Sequence, residues 1–204
     1  MSDHRGKDRR VARTRSMIAD ALMAILHRKP YEDISITDIA EQADINRSTF
    51  YAHFLDKDDL LSQLVSEKMD TLRTLLLEAA VTSKAAPGFD SADPIFTVLF
   101  RHVMEQHSFY SLMLSRYPNG QFRAMLTSLI KDNFFIRISN LGLDQQLQVP
   151  LELLLDYISF STAGMLDKWL TNERVYSPDH MGLQLTRLAV LGVYPAMGAA
   201  SSKA

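Results

Sequence analysis

The sequence contains no cysteine, which removes thiol catalysis, disulfides and cysteine-ligated zinc, and suits a reducing compartment. Its histidines, His4, His27, His53, His102, His107 and His180, form no H-E-x-x-H pair. His102 and His107 lie off a single helical face, so no metal site is expected. The chain's 8 glycines form neither a phosphate-cradling loop nor a G-x-S-x-G elbow, and no enzyme activity or cofactor is expected. Long apolar runs are missing as well. The start is polar and basic, so neither a secretory signal nor a membrane span is expected, and the expected location is cytoplasmic. Period-two alternation, internal repeats and low-complexity segments are absent. The net charge of -2 gives no overall basic excess, so any case for nucleic acid rests on local charge.

What is present is 204 residues with 47% hydrophobic content, enough for one large or two small domains with a real core. Local charge is concentrated at the start, where Arg5, Lys7, Arg9, Arg10, Arg13 and Arg15 face only Asp3 and Asp8, a net +4. Such a segment can act as an arm on phosphates or in a minor groove; the alternative is a solvated, unstructured start. From about residue 10 to 27, Met17, Ile18, Leu22, Ile25 and Leu26 recur at helical spacing. Lys29-Pro30 ends that helix.

The most specific stretch is 34–61. Ile36, Ile39, Ala40 and Ala43 keep helical spacing, and Ser35 with Asp38 fits a capping box. Asp44-Ile45-Asn46 then interrupts the helix, and Phe50, Tyr51 and Phe54 resume it behind Asn46 as N-cap. The pattern is a helix-turn-helix, with Ile18, Leu22, Ile39, Ile45, Phe50 and Phe54 as the expected core of a three-helix head. Arg47 can pair with a guanine edge through two hydrogen bonds, while Ser48 and Thr49 can reach a base or a phosphate. Taken without their surroundings, these residues also fit a capped surface helix. Tyr51, His53 and Lys57 suit phosphate oxygens better than base edges.

The run from Ser35 through Ala43, then Tyr51-Ala52-His53-Phe54, Lys57 and Leu60-Leu61, resembles the signature of the TetR/AcrR transcriptional regulators. One departure is Asp44, which stands where that family has glycine; aspartate tolerates a left-handed backbone better than most residues, so the turn is expected to survive with some strain. The resemblance implies that Thr37 and Ser35 join Arg47, Ser48 and Thr49 at the DNA, and that Tyr51, His53 and Lys57 clamp the backbone. It also implies an effector pocket in the C-terminal half and dimerisation through the last two helices. The phrase Ala163-Gly164-Met165 to Lys168-Trp169-Leu170 is similar to a subgroup that includes activators of dihydroxyacetone kinase operons.

Downstream, Asp56 caps a long helix carrying Leu60, Leu61, Leu64, Val65, Met69, Leu72, Leu75 and Leu76, which can couple the head to the rest. Residues 83–93 read as a linker, Asp93-Pro94 as a helix start, and Tyr117-Pro118-Asn119-Gly120 as a turn. Phe122, Met125, Leu126, Leu129, Ile130 and Phe134 form an apolar helical stripe. Between 151 and 170 apolar residues occupy two faces, and the final helix carries Leu185, Leu188, Ala189, Leu191, Gly192 and Val193 over a broad arc. One face serves the subunit's core; the other, with Leu153, Gly164, Leu185, Leu188 and Gly192, is expected to meet a second copy.

An effector pocket of the family type is expected to use Phe100, Met104, Phe109, Met125, Tyr157 and Phe160, with His102, His107, Arg101 and Asn133 as polar candidates. The competing reading of these side chains is ordinary core.

The expected molecule is all-α, with an N-terminal basic arm and helix-turn-helix DNA-binding domain over 1–57 and a helical ligand-binding and dimerisation domain over 58–204. It is expected to bind double-stranded DNA as a homodimer, as a repressor released by a small-molecule effector. The alternative is an activator or co-activator of the same fold controlled by a protein partner. A two-fold dimer implies a palindromic operator with half-sites about 34–36 Å apart, or a multiple.

Overall fold

The computed structural model describes residues 2–143, 147–172 and 175–192, without the side chains of 2–7 and 119. Arg5, Lys7 and Val193 therefore lie outside the described side chains. Among the described residues there are helices and no strands, with one isolated bridge between Gly88 and Ser91. None of these helices is long and apolar enough to cross a membrane.

Backbone packing divides the chain into a unit of residues 1–69 with 115–119, and a unit of 70–114 with 120–204. The first contains α1 (Ser2–Leu26), α2 (Ile36–Gln42), α3 (Arg47–Tyr51) and the first half of α4 (Lys57–Thr82). Helix α1 starts far earlier than residue 10, so the basic stretch is the first part of a helix and not an unstructured start. Arginine, lysine and alanine in that segment carry high helix propensity. Ile18, Ala21, Leu22, Ile25 and Leu26 form the buried stripe of α1. They meet Ile39 and Ala40 of α2 and the fully buried Phe50 of α3 in one core. Ile45 is only half-buried, because it sits in the turn beside Asp44 and not on a helix face.

Helix α2 starts at the expected capping box: Ser35 Oγ accepts from the Asp38 amide at 3.1 Å, and Asp38 Oδ2 accepts from the Ser35 amide at 2.7 Å. Asp44 has a φ of 53°, the only non-glycine residue described with a positive value. The left-handed turn thus survives without glycine. Asp56 Oδ1 accepts from the Asp59 amide at 2.7 Å and caps α4, a helix that contributes to both units.

The second unit adds α5 (Pro94–Glu105), α6 (His107–Arg116), α7 (Gln121–Asn140), α8 (Leu151–Thr171) and α9 (Pro178–Leu191). Helix α5 packs on α9, and α7 on α8. Gly182 allows the first of these approaches: a Cβ there would lie 3.2 Å from Thr97 Cα. Asp93 caps α5 as expected, accepting from the Ile95 amide at 2.9 Å.

Its other oxygen has a partner distant in sequence. Arg137 Nε donates to Asp93 Oδ2 at 3.1 Å, with side-chain exposures of 2% and 5%. Arg137 also donates to the carbonyls of Ser83 and, at 2.9 Å, Ala85. The Asp93 amide donates to Thr186 Oγ1 on α9 at 2.8 Å. One guanidinium thereby ties α7, the 83–93 connection and the start of α5, and reaches α9 through Asp93. Removing one partner of a buried pair strands the other's charge. Arg137→Met is therefore expected to lower the stability of this unit by about 3–5 kcal/mol, measured by urea unfolding followed at Trp169; a change near zero would show that the pair does not hold the unit.

Candidate nucleic-acid interface

Helix α3 presents its first turn outward because Phe50 fixes its other side. Phe50 is fully buried, 5.8 Å from the Phe54 ring and edge-on to Tyr51 at 5.7 Å. Arg47 and Ser48 are exposed and Thr49 is half-buried. Asn46 occupies the N-cap position, yet its side chain makes no cap bond. Its exposed amide thus stands beside Arg47 and Ser48 as a further hydrogen-bonding group, one that the capping pattern had concealed. Thr37 is exposed in the first turn of α2, while Tyr51 is exposed and His53 half-buried at the far end of α3.

Two expected DNA ligands have other employment. The Ser35 hydroxyl is committed to the capping box and also donates to Asp38 Oδ2 at 2.7 Å. Asp38 accepts from Lys29 as well, at 2.9 Å. The Ser35 amide first, and then Lys29, hold this carboxyl well below the usual carboxylate range.

Lys57 departs furthest from its expected role. Its Nζ donates to the carbonyls of Tyr31, Glu32 and Ile34 at 3.0, 3.2 and 2.9 Å, and lies 4.7 Å from the Tyr31 ring centroid. An ammonium has three protons, and each faces a carbonyl here. Lys57 thus braces the connection entering α2. Tyr31 itself donates to Asp58, and burial, then that hydrogen bond, push its phenol far above the ordinary value.

Arg15, counted with the basic arm, is likewise internal. It donates to the His53 carbonyl at 3.2 Å and to Gln63, and its guanidinium lies 4.5 Å from the Phe54 centroid. The surface-directed arginines described near the start of α1 are Arg9, Arg10 and Arg13.

In the second unit the six expected effector-lining residues are not gathered in one place. Phe100 is core, edge-on to Trp169 at 5.1 Å. Phe109 is core as well, against Tyr110 and Phe122 at 5.2 and 5.7 Å. Met104 is half-buried, while Met125, Tyr157 and Phe160 are exposed. The reason is helical phase: α8 buries Leu155, Ser159, Thr162, Ala163, Leu166 and Trp169. That phase turns Leu153, Tyr157 and Phe160 outward at 61%, 60% and 66% exposure.

Gly164, Leu188 and Gly192 are not part of the buried core either, whereas Leu185 is buried within its own unit. Between α8 and α9 runs an apolar groove of about 310 Å³ that includes Phe96, Tyr157, Ile158, Leu188 and Ala189. Of the polar candidates, Arg101 pairs with Asp179 at the surface at 2.6 Å, His107 is exposed, and His102 and Asn133 are buried. Two buried oxygens, Tyr110 Oη and Asn133 Oδ1, have no hydrogen-bond partner among the described residues.

The family model for bacterial regulatory proteins of the tetR family matches residues 18–64, which contain α2, α3 and the start of α4. A second model, for a transcriptional regulator C-terminal region of the same family, matches residues 90–190. The chain belongs to the TetR family. This TetR-family regulator is 41% identical over 59 residues to the HTH-type transcriptional regulator YxbF of Bacillus subtilis. That match spans 28% of the chain and 16% of YxbF.

Among solved structures, the dihydroxyacetone kinase operon activator DhaS is similar at TM-score 0.60 and 19% identity, covering 87% of this chain and 94% of DhaS. The regulator FadR of Bacillus subtilis, solved in complex with stearoyl-CoA, gives 0.67 at 18% identity, with 87% and 98% covered. FadR of Bacillus halodurans gives 0.66 at 16%, with 88% and 96% covered. These likenesses establish the fold.

Because its protons face carbonyls, Lys57 is expected to act on the head and not on phosphates. Lys57→Met should speed amide exchange at Tyr31 to Ile34 and cost the head about 1–3 kcal/mol, while the salt dependence of DNA binding keeps its slope. A flatter slope would return Lys57 to the phosphate backbone.

Proposed function

We propose that the chain is a homodimeric repressor that reads a palindromic operator through α3 and releases it when a small molecule binds the C-terminal unit. The observation that carries the reading is α3 itself: Phe50 is buried, and Arg47 and Ser48 stand exposed at the helix N-terminus. Arg47 reads a guanine edge, Ser48 and Thr49 contact base or phosphate, and Asn46 and Thr37 lie beside them. Tyr51 and His53 hold the phosphate backbone. Ser35 and Lys57 act indirectly, by fixing the entry to α2.

Dimerisation is supported by the outward apolar face of α8 and α9, where Leu153, Tyr157, Phe160, Gly164, Leu188 and Gly192 await a partner. A second copy of the same face buries it by two-fold symmetry. Leu185 supports the face from within. The effector reading is supported by the two buried oxygens of Tyr110 and Asn133, since buried polar atoms ordinarily have partners. An effector lowers DNA affinity by the margin of its preference for the non-binding conformation.

A second reading, an activator or co-activator driven by a protein partner, is favoured by one observation. The six expected pocket residues do not converge, and three of them face outward. A protein that co-purifies with the chain, as against a small molecule, separates the two readings.

Arg47→Ala is expected to lose about 1–3 kcal/mol of discrimination between the cognate operator and random DNA, measured by fluorescence anisotropy at fixed salt. Equal losses on both duplexes would remove Arg47 from base reading.

A further inference from the structure

The phrase from Met165 to Leu170 does more than continue a helix stripe. At the end of α8 and the start of α9 lies a pocket of about 250 Å³ lined by Met165, Lys168, Trp169, Asn172, Tyr176 and Met181, with Val175 beside them. We infer that this pocket binds a small carboxylic acid with an apolar body, its hydrocarbon on Trp169 and Met181 and its carboxylate at Lys168 and Asn172.

The floor is apolar and fixed. Trp169 and Met181 are buried. The indole packs edge-on against Phe100 at 5.1 Å, and its N–H donates to the Tyr176 carbonyl at 2.9 Å. That hydrogen bond leaves the indole no free polar atom, so what it offers a ligand is ring surface. The Tyr176 wall is held in turn, stacked on His180 at 4.8 Å with 17° between the rings. Such a pocket is formed before a ligand arrives, which limits the entropy lost on binding.

Among the described rim residues the charge is positive. Lys168 and Asn172 are exposed and one helical turn apart, so both side chains reach the same edge. Arg101 pairs with Asp179, Arg123 with Asp167, and Lys131 with Glu152 and Asp156, while Lys84 on the 83–93 connection has no ion pair among the described residues. Lys168 has none among the described residues. An ammonium and an amide N–H₂ at the lip of an apolar bowl are complementary to a carboxylate on a hydrocarbon. A neutral hydrocarbon leaves the rim unused, and a polyanion such as a nucleotide meets an apolar floor and, among the described lining residues, a single cation. Met165 also lines the groove between α8 and α9, which places the ligand beside the face assigned to the partner subunit.

The site deepens the effector reading, and rests on it only for its consequence at DNA. Trp169 is the chain's single tryptophan, so its emission reports this pocket directly. The test titrates the full chain with 3-phenylpropionate and with the neutral 3-phenylpropanamide, following Trp169 emission and heat, in the wild type, Lys168→Met and, as a distant control, Lys84→Met. The expected result is a saturable change with the acid, about tenfold weaker binding of the amide, as for a lost charge-assisted hydrogen bond, and loss of that preference in Lys168→Met alone. No saturable change, equal binding of acid and amide, or an unaltered preference in Lys168→Met would overturn the assignment and leave the effector reading standing. Acid that binds as expected without moving operator affinity would support the site and separate it from the effector site of the C-terminal unit.

Discussion

A helix of five residues cannot sustain itself in water, because nucleation costs more than its few hydrogen bonds return. Helix α3, Arg47–Tyr51, has that length, and it persists because Phe50 is buried completely in the core of the head. Everything proposed for DNA follows from this one anchored ring. Burying Phe50 at the fourth position of α3 turns Arg47 and Ser48 outward, and the left-handed Asp44 sets the angle at which α3 leaves α2. Around this anchor the head uses its cations as internal fasteners. Arg15 holds α1 to the segment following α3, and Lys57 holds the connection before α2.

The C-terminal unit repeats the principle at larger scale. Its buried ion pair is tolerable because Arg137 also meets the carbonyls of 83 and 85, while the Asp93 carboxylate accepts from the Ile95 amide and its backbone amide donates to Thr186. In the same unit α8 turns one apolar face into the core and leaves another bare. The bare face and the pocket at Trp169 share Met165, so the proposed ligand and the proposed second copy would address the same helix.

Features that act within one helical turn were legible in the sequence. The Ser35–Asp38 box, the Asp93-Pro94 start, the Asp56 cap and the need for a left-handed residue at Asp44 each depend on neighbours a few positions away. The family signature was legible for the same reason. Features that depend on distant partners were not. Lys57 finds its acceptors 23 to 26 residues back, and Arg15 reaches 38 and 48 residues forward. Arg137 meets Asp93 across 44 positions, and no local pattern marks any of the three. Periodicity gives α8 two apolar faces but not which one the subunit keeps, and Tyr157 and Phe160, expected in a pocket, face out. Asn46 shows the opposite failure, since its local pattern was correct in position and its side chain makes no cap bond.

Two copies of this head are proposed to read DNA together about a two-fold axis. Selection of bound sequences from random duplex, followed by hydroxyl-radical footprinting of the winner, tests it most directly. The expected result is an inverted repeat with two equal protected patches whose centres lie about 34–36 Å apart or a multiple of that distance. A single asymmetric patch bound by one chain would contradict it.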